Sequence, residues 1–229
     1  FPTSGLIFSG AQKTFTGSDF TLQTTASRTF TVTDGGVSQA TSAISVTPAA
    51  LASFTISGEP ASVVAGVAFS TPANDIVVTA FDAFGNQKTN YTGTVAWSSS
   101  DVSASFPTSG LIFSGAQKTF TGSDFTLQTT TSQTFTVTDG LVNQPTVAIT
   151  VTAAAIANFT LTNPAAQEAG VLFSLGVTGA VDAFGNAASG AVTVSFQDAG
   201  THRVPNGESP TLTDITVTDG TGSANQTLD

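Results

Sequence analysis

FPTSGLIFSGAQKTFTGSDFTLQTT, residues 1–25, recurs without a change at residues 106–130. Carried further, residues 1–47 and 106–152 agree at 40 of 47 positions with an offset of 105. Self-similarity at a fixed period signals tandem structural units. A second block lies between the copies. LASFTISGEPASVVAGVAFSTPANDIVVTAFDAFGN (51–86) returns, five residues shorter, as IANFTLTNPAAQEAGVLFSLGVTGAVDAFGN (156–186). Its fixed points are Phe54 with Phe159, Ala65-Gly66-Val67 with Ala169-Gly170-Val171, and Asp-Ala-Phe-Gly-Asn at 82–86 and 182–186. The expected register is the C-terminal half of one repeat in 1–48, a complete repeat in 49–153, and the N-terminal part of a further, divergent repeat in 154–229. Further copies are expected beyond both ends.

Period-2 alternation runs through these blocks, and nothing is capped and periodic enough to be a helix. In Gln133–Asp139, Phe135 and Val137 point one way and the threonines the other. Val95 and Trp97 share a face, as do Phe54 and Ile56, and as do Val147, Ile149 and Val151. Each run stops at a turn signal, Ser-Gly, Phe-Gly-Asn or Asp-Gly. About seven strands per repeat at roughly ten-residue spacing form the sandwich pattern. The expected inward set is Phe54, Val95, Trp97, Phe135, Val137, Phe159 and Phe196.

Composition narrows the function. The chain has 229 residues, 15 acidic and 5 basic, with a net charge of −10. Only 9 % of residues are charged, against a usual ~25 %. A surface of hydroxyls and amides is expected, as on secreted β-proteins. The basic footprint a nucleic-acid binder needs is missing. No apolar run approaches the ~18 residues of a membrane span, so this segment is not expected to insert. With no Cys, disulfides and Cys-based zinc sites are excluded.

The chain resembles the bacterial immunoglobulin-like repeats of large cell-surface and adhesin proteins. The residues that carry the likeness are Phe-Thr-Ile-Ser-Gly (54–58), Ala-Gly-Val (65–67), Asp-Ala-Phe-Gly-Asn (82–86), Tyr-Thr-Gly-Thr-Val-Ala-Trp-Ser-Ser-Ser-Asp (91–101) and Thr-Phe-Thr-Val-Thr-Asp (134–139). The resemblance implies all-β, Greek-key immunoglobulin-like sandwiches in tandem, an extracellular or cell-surface location, and service as stalk, fibre or ligand-presenting arm. After Phe196 the third repeat departs from the pattern, with an irregular insertion at 201–208.

Residues with chemical potential are few. His202 is the only His and has no partner at a recognised catalytic spacing. Asp82 and Asp182 open the two pentapeptide turns. They are weak calcium candidates, because each turn holds one carboxylate and a hard cation wants several oxygens. Turn chemistry explains Asp82, Gly85, Asn86, Asp182, Gly185 and Asn186 more simply, since Asp bonds backbone amides and Gly or Asn accepts a positive φ. Tyr91 follows a turn, a place where a ring can stand exposed, but one ring is not a sugar-binding platform. Lys13 and Lys118 recur at equivalent sites but lack the neighbours of a Lys–Asn cross-link. Sequons stand at Asn90, Asn158 and Asn225. No cofactor and no catalytic residue is assigned. The reading is a structural extracellular protein forming a stalk or filament, its copies associating in tandem or head to tail, the latter by strand complementation between incomplete sandwiches. The alternative is an adhesin arm gripping a glycan or host protein through loops such as 199–209. Catalysis ranks third.

Overall fold

The computed structural model describes residues 1–2, 6–8, 10–168, 170–195 and 212–227. Among these, regular structure is β-strand apart from two single 3₁₀ turns, Gly17–Asp19 and Gly122–Asp124. No helix is long and apolar enough to cross a membrane. Phe196, His202 and the 199–209 loop lie outside the described residues.

In the middle repeat, Leu51–Ser57, Ile76–Asp82 and Gln117–Phe120 form one antiparallel sheet. Ala96–Ser99, Phe135–Thr138 and Asn143–Pro145 form another. A third joins Thr131–Gln133 to Ile149–Thr152, and Ile149–Thr152 to Ser62–Val64, the last pairing being parallel. The nine segments make seven extended runs, because 131–138 and 143–152 are each interrupted once. Hydroxyls cause the interruptions. Thr134 N–H donates to Ser100 Oγ at 2.9 Å, and Phe135 N–H donates to Thr146 Oγ1 at 3.1 Å. A side chain that takes a ladder bond breaks the strand locally. Val147 falls in the second gap and is 66 % exposed, so it leaves the face that Ile149 and Val151 share.

The sheets enclose one core. Phe54, Val78, Ala80 and Val95 meet Phe125, Leu127, Phe135, Val137, Ile149 and Val151, all nearly or completely buried. Aromatic rings link the layers edge to face, Phe125 to Phe135 at 5.1 Å and Trp97 to Phe120 and Phe125 at 5.2 and 5.1 Å. Such pairs add about 0.5–1.5 kcal/mol beyond the area they bury. Tyr91, although it follows a turn, is also buried. Its ring sits between Phe54 and Phe113, and its hydroxyl donates to Asp139 Oδ2 at 3.2 Å. Burial first, then the Asp139 charge and hydrogen bond, push the Tyr91 pKa up to about 12.

The third repeat keeps the ladder Asn158–Thr162, Phe173–Val181, Gly222–Gln226, with Gly190–Val192 paired to Ile215–Val217. Phe159 departs from expectation, being 38 % exposed. The pairing passes from Asn158↔Val181 to Thr160↔Thr178, so two residues, one of them Gly179 at φ +61, oppose Phe159 alone. A bulge of this kind shifts the strand's phase.

The first repeat shows the same pairing 105 residues earlier, Ala26↔Val46 matching Thr131↔Val151 and Thr31↔Ala40 matching Thr136↔Pro145. Its faces differ. Val32 is 55 % exposed, although its copy Val137 is completely buried. The strands that cover Val137 have no counterpart in residues 1–48. Phe1, Phe20 and Phe30 gather edge to face at 4.9–6.4 Å along an open groove of about 1050 Å³.

Candidate functional site: the repeat junction

The pentapeptide turn begins where the long strand ends. Asp82 N–H donates to Asn86 C=O at 2.9 Å, and Gly85, at φ +78, lets the chain reverse. A residue with a Cβ is strained in that left-handed region, which is why Gly serves there. The Asp82 carboxylate then organises the loop. Its Oδ1 accepts the backbone N–H groups of Phe84 and Asn86, both at 2.9 Å. Its Oδ2 accepts Asn86 Nδ2 at 2.9 Å and Ala49 N–H at 3.0 Å. Ala49 belongs to the chain entering the repeat, so one carboxylate fixes both the turn and the linker. Lys88 Nζ donates to the carbonyl of the same Ala49 at 2.8 Å.

Asn86 carries the arrangement across to the neighbouring repeat. Its Nδ2 donates to Gln23 C=O at 2.7 Å, and its Oδ1 accepts Thr25 N–H at 3.1 Å. The next junction repeats the bonds made by Asp82 and Asn86, although Ala188 replaces Lys88 and brings no side-chain donor to Ala154. Asp182 Oδ1 accepts Phe184 N–H and Asn186 N–H, each at 2.9 Å. Asp182 Oδ2 accepts Ala154 N–H and Asn186 Nδ2, each at 2.9 Å. Asn186 Nδ2 donates to Gln128 C=O at 2.8 Å and Oδ1 accepts Thr130 N–H at 3.0 Å. Gln23, Thr25 and Ala49 stand 105 residues before Gln128, Thr130 and Ala154.

The receiving loop is itself held from below. Asp101, 3 % exposed, accepts Gln128 N–H at 2.6 Å and Thr129 N–H at 2.9 Å on Oδ2. Its Oδ1 accepts Ser103 N–H at 3.0 Å and the Thr129 hydroxyl at 2.8 Å. Gln128 C=O and Thr130 N–H are left facing outward. Beside them Gly66, at φ +77, donates its N–H to Leu127 C=O at 2.8 Å. The Phe184 ring lies against Gly66 so closely that a Cβ there would overlap it.

Ionisation follows the donors. Burial opposes charge on Asp82, but the Asn86 amide and the Ala49, Asn86 and Phe84 backbone N–H groups outweigh it and hold the pKa at about 2. Asp182 and Asp101 are lowered for the same reason, burial being overcome by the amides that face them. Carboxylates accepting several N–H groups behave this way.

These bonds bear on the calcium candidates. Asp82 and Asp182 each spend both oxygens on N–H donors, and a cation would have to displace them. Among the described residues no three of His, Cys, Asp and Glu come together. Lys118 has its ammonium 5.5 Å from the Phe120 ring centre. Asn90, Asn158 and Asn225 are exposed. Gly85 and Gly185 (φ +85) both take the turn conformation. No pattern in the residues marks Asp101, Gln128, Thr130 or Gly66 as junction residues. The available signals were the Gln-Thr-Thr shared by 23–25 and 128–130, and the glycine shared by 66 and 170.

No protein-family model matches the chain, and no curated protein matches it. Among solved structures, surface layer protein SbsC, domains 4–9, aligns over 86 % of this chain at 20 % identity with a TM-score of 0.37. Domains 1–6 of the same protein align over 83 % at 20 % identity with a TM-score of 0.35. The chain spans 30 % and 23 % of those two chains. The all-β sandwich described above rests on its own strand pairings and not on that likeness.

Proposed function

We propose that the chain is a length of extracellular structural stalk, built of immunoglobulin-like sandwiches held end to end. The repeats fall at 1–48, 49–153 and 154–229. The observation that carries the reading is the recurrence of one hydrogen-bonded junction at two places in the chain. A flexible string of binding modules has no need to bond each linker and each neighbouring loop with the same groups. The linkers here carry no Gly/Ser stretch, which would make them loose. The composition agrees, with few charges and a surface rich in hydroxyls and amides. The carboxylates of the described junctions are engaged with backbone amides.

Assembly between chains is a finer part of the same reading. The open aromatic groove of residues 1–48 matches the face that residues 51–97 cover in the middle repeat. Residues 154–229 of a second copy would offer the corresponding strands, giving a head-to-tail filament. Sedimentation at high concentration tests this part, and a strict monomer rejects it.

Location and role are tested together by immunogold electron microscopy on intact source cells, using antibody against this chain. Label on extended surface fibrils supports the stalk. Label confined to the cell interior, or on compact soluble particles, rejects it.

A further inference from the structure

We infer that the Asp-Ala-Phe-Gly-Asn turn is a docking element that recognises the backbone of a neighbouring repeat, and that its asparagine sets the angle between repeats. This deepens the stalk reading and rests on it. The partner is defined chemically. It presents one outward carbonyl and one outward N–H two residues apart, as Gln23 with Thr25 and Gln128 with Thr130 do, and in the middle repeat it also presents a bare glycine at φ +77.

The primary amide suits this partner and the other short side chains do not. A donor and an acceptor side by side complete two bonds to one stretch of main chain. Aspartate would present two acceptors to the Gln128 carbonyl and a second negative charge to Asp182. Serine would lack the reach. Asp82 and Asp182 are positioning residues in this scheme. Each takes the second hydrogen of the asparagine amide, which fixes which amide atom faces which partner, and each ties the linker through Ala49 or Ala154.

The phenyl ring adds shape. Phe184 rests on Gly66, where φ +77 and the absence of a Cβ both call for glycine. Gly170 has the same place in its repeat and the same φ of +77, with no atom of the described residues within 4 Å of where its Cβ would be. A ring from the turn of another repeat fits there. Phe84, which carries that ring in the first turn, is 53 % exposed. One surface therefore pairs with one turn throughout an array.

The test is hydrogen exchange read residue by residue on the whole chain. Asn86→Ala removes the acceptor of the Thr25 amide, and Asn186→Ala removes that of Thr130. Each amide is expected to exchange about tenfold faster, while Gln128 and Thr129, held by Asp101, stay within about twofold. Trp97 fluorescence and the Val177 amide report that the repeats remain folded. Gly66→Ala, on the receiving side, leaves the Asp–Asn turn untouched. It strains the middle repeat as well, so Thr130 is read against Gln128 and Thr129 of the same loop: Thr130 exchange is expected to rise by about threefold or more relative to theirs, and the inference stays testable even where an Asn variant unfolds its own repeat. Unchanged exchange at Thr25 and Thr130 overturns the inference. The stalk reading fails separately, through immunogold label that is absent from the surface.

Discussion

Asp101→Asn isolates the support beneath the junction. The wild-type carboxylate accepts four bonds, two on each oxygen. Asparagine supplies one accepting oxygen. Placed at the Oδ2 position it keeps Gln128 and Thr129, and its NH₂ then faces the Ser103 N–H. The Thr129 hydroxyl can turn and accept, but the Ser103 N–H loses its partner and, Ser103 being exposed, turns to water. Losing that bond costs about 0.5–1.5 kcal/mol. The two retained bonds lose their charge assistance, which removes about 1 kcal/mol more. The total is about 2 kcal/mol. With a urea slope of about 2 kcal/mol/M, within the ordinary range, the midpoint falls by about 1 M. Trp97 is the sole Trp and lies in the middle core, so its fluorescence reports this repeat. The pH dependence carries a sign. The Asp101 pKa is lowered on folding, so its stabilisation is present above the ordinary carboxylate range and lost as pH falls through the folded value. The gap between wild type and variant therefore narrows in acid. A midpoint shift below about 0.3 M at pH 7, or a gap that widens in acid, refutes the reasoning.

Three further outcomes are expected. Asp82 titrates at about 2 in the folded chain, below the usual ~3.9, so its hold on the Ala49 linker is complete above about pH 4 and fades toward pH 2; the Ala49 amide should stay protected at pH 4 and lose protection near pH 2, and loss already at pH 5 contradicts this. Trp97 Nε1 is buried with no partner among the described residues, so Trp97→Phe breaks no hydrogen bond there and should cost less, by circular dichroism melts, than the about 3–5 kcal/mol expected of Trp97→Ala. Gly66→Ala places a side chain at φ +77 and should lower the stability of the middle repeat by about 1–2 kcal/mol in urea, with no change contradicting the assigned backbone conformation.

The sequence discloses most of the sandwich because alternation and burial share one period. Phe54, Val95, Trp97, Phe135 and Val137 are all buried, and all stand at alternating positions of their runs. Phe159 repeats Phe54 in sequence but not in burial. Gly179 adds a residue to the opposing strand, and a one-residue insertion reverses every face beyond it. Nothing local to Phe159 announces a bulge twenty residues away. Tyr91 misleads in the opposite direction: its place after a turn suggests exposure, while the phenol in fact finds Asp139 and two rings. The pentapeptide is legible as a turn because Asp, Gly and Asn are its ordinary residues. Its reach to the neighbouring repeat is not, because the partners are main-chain atoms of Gln23, Thr25, Gln128 and Thr130, which leave no side-chain signature. Asp101 is hidden for the same reason, since all but one of its donors are backbone amides.

A junction bonded in this way holds neighbouring repeats at one angle. The chain has no cysteine, so two can be introduced as spin-label sites. Val102, 98 % exposed in the middle repeat, and Ser223, exposed in the third, are suitable. Electron–electron double resonance between them should give a single narrow distance peak for the native junction, broadened by Asn186→Ala. A broad distribution in the native chain, unchanged by that substitution, would contradict the account.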